Sequence, residues 1–239
     1  MRAKTSQTVW LFDLDNTLHN ASGGAFQGIN SAMTAYIQRE LEVDEPEANR
    51  LRAHYWQRYG ATLLGLVHHH GVSAAHFLHH THALPGLEAQ LSRHAHDAAA
   101  LRRLPGRKFV LTNAPLAYAQ RVLAALGLAG LFEGVIAIEH MAMFGQLRPK
   151  PDARMFRALL ARLQVRPRQC VLVEDTLAHQ KTAHALGLRT VWMQRWLQHP
   201  AHGPVNSQGH SPKTGAFLGR KPAYVCARIR SLQQLRSLP

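Results

Sequence analysis

The stretch Thr8-Val9-Trp10-Leu11-Phe12-Asp13-Leu14-Asp15-Asn16-Thr17-Leu18 decides how the chain folds. A β-branched and apolar run ends abruptly on two carboxylates spaced two apart, with a turn-forming asparagine directly behind them. A run that is apolar at consecutive positions reads as a strand buried on both faces, as in a parallel sheet covered by helices. Carboxylates at the end of such a strand are costly to bury unless something cationic compensates them.

Working outward, similar short runs at 108–111, 135–138, 169–173, 190–193 and 223–226 read as further strands. Between them, apolar residues at helical spacing predict helices over 116–126, 152–163 and 178–186, the last ended by Gly187. This alternation predicts an α/β fold, a Rossmann-like three-layer α/β/α core on a parallel sheet. Residues 19–84 break the alternation with helical periodicity and no convincing strand, so they read as an inserted helical domain. The core then comprises 1–18 and 85–239, and within it 199–221, rich in Pro, Gly, Ser and His, reads as a long loop or partly disordered insertion. Ligands of such folds bind beyond the carboxyl ends of the strands, where Asp13, Thr112 and Glu174 all fall.

Composition narrows the classes. The chain has 239 residues, 46% of them hydrophobic and 18% charged, which is enough apolar material for a core and excludes wholesale disorder. Two cysteines, Cys170 and Cys226, are too few for a disulfide scaffold; both lie in apolar runs and read as packed free thiols. The basic start Met1-Arg2-Ala3-Lys4 leads into no signal-type apolar core, and no apolar stretch reaches about 18 residues. A reducing, cytoplasmic setting with no membrane partner is the expectation.

The charge balance, 28 Lys plus Arg against 14 Asp plus Glu, is a formal +14 and suits nucleic acid, an acidic surface or a phosphorylated small molecule. After Asp175 there is no acidic residue at all. Against that scarcity two acidic pairs, Asp13 with Asp15 and Glu174 with Asp175, each close an apolar run. No nucleic-acid module or aromatic-interleaved basic patch accompanies the basic tail, so a solvated surface that steers anions is the expected role and a nucleic-acid partner is not expected.

A carboxylate such as Asp13 can attack phosphorus if the repulsion between two anions is neutralised, which calls for a hard divalent cation on oxygen ligands and a nearby lysine. Glu174 and Asp175 supply further oxygen ligands for Mg²⁺. Lys150, in Arg148-Pro149-Lys150-Pro151-Asp152, stands just ahead of a helix where it can reach a phosphate. Thr112-Asn113 ends another strand with a hydroxyl and an amide suited to phosphate oxygens. Each group alone has a plain structural reading as a turn, a cap or a solvated lysine; their order and spacing together do not.

With these four motifs in order, the chain resembles the phosphatases of the haloacid dehalogenase superfamily. The resemblance implies Asp13 as the nucleophile that forms an aspartyl-phosphate and Asp15 as the acid and base that serves the leaving alcohol and then water. It implies Thr112 on the phosphoryl group with Asn113 beside it, and Lys150 balancing charge. Mg²⁺ would be held by Asp13, the backbone carbonyl of Asp15 and the side chain of Asp175, with Glu174 acting through water. The dehalogenases of the superfamily lack an aspartate at the place of Asp15, so the resemblance points to a phosphatase. The helical insert resembles the superfamily's C1 cap, which closes over small substrates.

The first motif and the segment Arg58-Tyr59-Gly60-Ala61-Thr62-Leu63-Leu64-Gly65-Leu66 resemble the pyrimidine 5′-nucleotidase branch, a likeness covering most of residues 8–195. It implies a pyrimidine nucleoside monophosphate as substrate, with another small phosphomonoester such as phosphoglycolate or a sugar phosphate as the alternative, and a loop carrying Tyr59, Thr62 and Leu63 against it. Two departures stand out: His19 where an aromatic is expected, and His179 where relatives commonly carry Asn or Asp. His76, His79 and His80 share a helical face that could bind Zn²⁺, yet a histidine-rich run such as His68-His69-His70 reads more simply as polar surface.

Overall fold

The computed structural model describes residues 7–197 and 221–237. The insertion expected at 199–221 lies, but for Lys221, outside the described residues. Six parallel strands form one sheet: β1 (Val9–Phe12), β2 (Arg107–Leu111), β3 (Gly134–Ile136), β6 (Cys170–Glu174), β7 (Arg189–Met193) and β8 (Ala227–Ile229), in the order β3-β2-β1-β6-β7-β8. A small antiparallel hairpin, β4 (Ala142–Met143) and β5 (Gln146–Leu147), stands apart from it.

The strand sequences explain the layers. Alternate residues point to opposite faces, and Trp10, Phe12, Val110, Val171, Val173 and Val191 build one core with α5 (Ala95–Arg103) and α6 (Leu116–Leu126). Their neighbours Val9, Leu11, Phe109, Leu111, Cys170 and Leu172 build a second with α7 (Ala153–Leu163) and α8 (Leu177–Ala185). The three-layer α/β/α arrangement read from the sequence is therefore the one observed.

Between β1 and β2 run α1 (Ala25–Leu41), α2 (Glu45–Tyr59), α3 (Thr62–His70) and α4 (Ala74–His82). These helices have an apolar cluster of their own, including Tyr36, Ile37, Leu51, Tyr55, Leu66 and Phe77, joined from the sheet side by Ile138. Asp44 starts α2 by accepting from the Glu47 amide at 2.9 Å, and Gly60 ends it in the left-handed region at φ 79°. Gly65 lets α3 approach α2: a Cβ there would lie 2.1 Å from the Tyr55 ring.

Three local readings change. The sixth strand is 227–229, four residues later than the apolar run 223–226 suggested. Pro222 instead opens a turn closed by the Val225 amide at 3.0 Å, and the run is spent reaching the sheet edge. Cys226 is consequently exposed, while Cys170 is buried; both thiols are free. The stretch before β2 contains α5, whose buried Asp97 is gripped through both carboxylate oxygens by Arg195 from the end of β7. Among the described residues, no helix is long and apolar enough to cross a membrane.

Candidate active site

The register brings the motif residues to one edge. Phe12 pairs with Val110 on one side and Val173 on the other, so the residues that follow these three positions meet at the carboxyl end of the sheet. Asp13 still belongs to the ladder, its amide donating to the Val173 carbonyl at 2.9 Å. The chain then turns sharply. Leu18 N donates to Leu14 O at 2.9 Å, and Asn16 takes a positive φ of 56°. The Asn16 side chain is anchored to Ser22, accepting from its amide at 3.1 Å and donating to its hydroxyl at 2.8 Å. Asparagine tolerates this conformation better than most residues because its short amide bonds locally.

Lys150 lies at the centre, 1% exposed. Its Nζ donates to Asp13 Oδ1 at 2.7 Å and to Glu174 Oε2 at 2.8 Å. Its backbone is clamped by Asn113, whose Oδ1 accepts from Lys150 N and whose Nδ2 donates to Lys150 O, both at 2.9 Å. The Asn113 amide read from the sequence as phosphate-facing is thus spent on the lysine's main chain, 37 residues away along the sequence. Thr112, also buried, accepts from the Ala114 amide at 3.0 Å, which leaves its O–H as a donor. Asp15 Oδ1 accepts from Tyr118 Oη at 2.8 Å and lies 2.9 Å from His19 Nε2.

Charge in this cluster is strongly coupled. Burial, then the neighbouring Glu174 carboxylate, pushes the Asp13 carboxyl up to about 8, despite Lys150. Burial and the charges of Glu174 and Asp13 likewise raise Asp175 well above the ordinary carboxylate range. Burial opposes ionisation of Glu174 and Lys150 too, yet their mutual attraction wins: Lys150, then His179, hold Glu174 far down, and Asp13 and Glu174 hold the ammonium above its usual value. Burial, reinforced by the Asp15 charge, holds the Tyr118 phenol far above its usual range, so it remains an O–H donor.

One lysine does not neutralise three clustered acids, two of them buried. Oxygen atoms of Asp13, Glu174 and Asp175 lie within 4.8 Å of one another, and this is the single grouping of three or more potential metal ligands among the described residues. An all-oxygen set in which Asp13 and Asp175 resist ionisation beside the charged Glu174 fits a hard divalent cation such as Mg²⁺. His179 Nδ1 lies 3.0 Å from Glu174 Oε2, beside this set. The histidines of the insert make no comparable group. His76 and His80 have ring centroids 4.4 Å apart, and His76 Nδ1 is bonded to Tyr36 Oη at 2.8 Å.

Of the residues expected to meet substrate, Tyr59 lines a cavity of about 250 Å³ together with Leu64 and the segment 147–152, Lys150 included. Thr62 and Leu63 are turned elsewhere: the Thr62 hydroxyl donates to the Arg52 carbonyl at 3.0 Å, and Leu63 packs in the apolar cluster of the insert. Sequence reasoning passed over Tyr118. Its signal was weak, an aromatic six residues after Thr112 on the buried face of α6.

The haloacid dehalogenase-like hydrolases match this chain over residues 8–187. The chain belongs to that family. It is 27% identical, over 170 residues, to Phosphate metabolism protein 8 of Saccharomyces cerevisiae, covering 66% of this chain and 52% of that protein. It therefore spans about half the length of this curated relative. Among solved structures, the fold is shared with CbbY from Rhodobacter sphaeroides in complex with phosphate (19% identity, 96% of each chain, TM-score 0.60). It is shared with a HAD phosphatase from Thermococcus onnurineus (20%, 96% of each, 0.59) and a 2-haloacid dehalogenase from Pseudomonas syringae pv. Tomato (20%, 97% of each, 0.55). Phosphatase and dehalogenase stand at similar distances, so the choice between them falls to the site.

Proposed function

We propose that this hydrolase is a Mg²⁺-dependent phosphomonoesterase working through an aspartyl-phosphate on Asp13, with pyrimidine nucleoside 5′-monophosphates as substrates. The observation that carries it is the pairing of two different carboxylates at one strand end. Asp13 is buried against Lys150, whereas Asp15, two residues on, is tied through one oxygen only and keeps the other for proton transfer.

In the first step an Asp13 carboxylate oxygen forms a bond to phosphorus while the bond from phosphorus to the ester oxygen breaks. The departing oxygen keeps the electron pair and takes the proton of Asp15. In the second, Asp15 accepts a proton from water as the water oxygen bonds to phosphorus, and the bond to Asp13 breaks, restoring its carboxylate and releasing phosphate. The Thr112 hydroxyl donates to a phosphoryl oxygen, and Lys150 stabilises charge on the phosphate and Asp13. Asn113 keeps Lys150 in reach by fixing its backbone. Asp13, Asp175 and the Asp15 carbonyl would hold Mg²⁺, with Glu174 through water. The cation would supply charge neutralisation and orientation of the phosphate.

We assign the helical insert, residues 19–84, as a C1-type cap, supported by its separate apolar cluster and by Tyr59 and Leu64 in the cavity beside Lys150. A cytoplasmic setting is part of the same reading, supported by two free thiols. Comparing kcat/KM across UMP, CMP, dUMP, phosphoglycolate and sugar phosphates tests the substrate: the pyrimidine nucleotides are expected to lead, and a lead by phosphoglycolate or a sugar phosphate would overturn the nucleotidase assignment.

A further inference from the structure

The proton-transfer residue of the proposed mechanism is held by groups that no motif contains. An aspartate carboxyl rotates easily about its terminal torsion, and Asp15 has 17% of its side chain exposed. Two ring residues restrain it. His19, four residues on and past the turn, presents Nε2 to Oδ1 at 2.9 Å. Tyr118, from α6 more than a hundred residues away, donates its hydroxyl to the same oxygen at 2.8 Å. Both rings are themselves about 1% exposed. Asp15 Oδ2 has no partner among the described residues.

The chemistry of His19 fixes which way its bond runs. Its Nδ1 is buried and meets no hydrogen-bond partner. A buried N–H left without an acceptor is costly, so the ring proton belongs on Nε2, where Asp15 accepts it. Oδ1 thus receives two donors from buried rings, which makes it a poor place for a further proton. Oδ2 is the oxygen left open for proton transfer. Tyr118 is backed in turn by the insert: the His82 ring, at the end of α4, meets it edge-on with centroids 5.7 Å apart.

Resting on the phosphomonoesterase reading, we propose that His19 and Tyr118 are positioning residues that pin Oδ1 of Asp15 and reserve Oδ2 for proton transfer to and from the substrate. A residue that acts through the proton donor matters most when the leaving group needs the proton. An alkyl phosphate leaves as a strongly basic alkoxide, whereas p-nitrophenyl phosphate leaves as a phenolate that is stable without protonation.

The experiment measures kcat/KM in Mg²⁺ for UMP and for p-nitrophenyl phosphate with wild type, Tyr118→Phe, His19→Leu and His19→Gln. Because general acid catalysis contributes about 100- to 10,000-fold, Tyr118→Phe and His19→Leu are each expected to lose about 10-fold or more on UMP. The loss on the aryl ester should be at least several times smaller, and His19→Gln, which keeps an N–H donor, should recover much of the His19→Leu loss. Equal losses on both esters, or none on UMP, would overturn the positioning role while leaving the phosphomonoesterase reading intact. A wild type inactive on both esters would overturn that reading and this inference with it. Tyr118→Phe, the milder change, decides the matter if His19→Leu fails to fold.

Discussion

At the carboxyl edge of the sheet, buried Asp13 and Glu174 both accept from buried Lys150; on the helical insert, His68, His69, His79 and His80 are exposed and lie along helix faces. The first arrangement is expensive, since each charge gives up its water and is compensated only by its neighbours. The second costs little, because an exposed imidazole keeps its hydration. What singles out the candidate site is therefore burial with mutual dependence, and the abundance of a residue type does not. The insert meets the core through Tyr59 and Leu64, which line a cavity with Lys150, and through His82, whose ring meets Tyr118 edge-on.

The sharpest way to break this contrast is Asp13→Asn, which removes the nucleophile. Phosphate release is expected to fall by at least about 10,000-fold, and residual turnover near the wild-type rate would end the aspartyl-phosphate mechanism. Next is Lys150→Met, which leaves Asp13 and Glu174 without their shared cation. Removing one partner of a buried ionic cluster typically costs about 3–5 kcal/mol, so a denaturant melt without Mg²⁺ should show a loss near the lower end, with activity lost as well. An unchanged midpoint would mean the cluster is not interdependent.

The carboxylates also make a pH prediction. Asp13 titrates at about 8 in the fold, against roughly 3.9 in an unfolded chain. Between these values the folded protein binds the extra proton, so its stability falls as pH rises. Asp175, raised for similar reasons, adds to the same slope. Without Mg²⁺ the melting temperature should decline from about pH 5 to pH 8, and saturating Mg²⁺ should flatten that decline. A metal-independent profile would count against a cation at this cluster. The smallest effect belongs to the insert's surface: His79→Gln and His80→Gln should each shift stability by no more than about 0.5 kcal/mol and leave turnover unchanged, and a large loss in either assay would give these histidines a role that the contrast denies them.

Much of this was legible along the chain. The strand-end positions of Asp13, Thr112 and Glu174 followed from apolar runs that stop on polar residues, and the three-layer core followed from their alternation with helices. Local patterning misplaced the last strand, because an apolar run at 223–226 has the same composition whether it pairs in a sheet or leads to one. It also passed over α5, a short helix whose Asp97 is paired with an arginine nearly a hundred residues away.

Sequence alone determined the inventory of the candidate site, namely which carboxylates stand at strand ends, which lysine accompanies them and in what order, since these depend on local pattern and spacing. Only the tertiary structure decided how they are used. Asn113 serves the Lys150 backbone, Thr62 and Leu63 pack away from the cavity, and His19 and Tyr118 converge on one oxygen of Asp15. Each of those outcomes depends on a distance across the fold, and a hydrogen bond of less than 3 Å between residues on separate elements leaves no trace in the residues that flank either one.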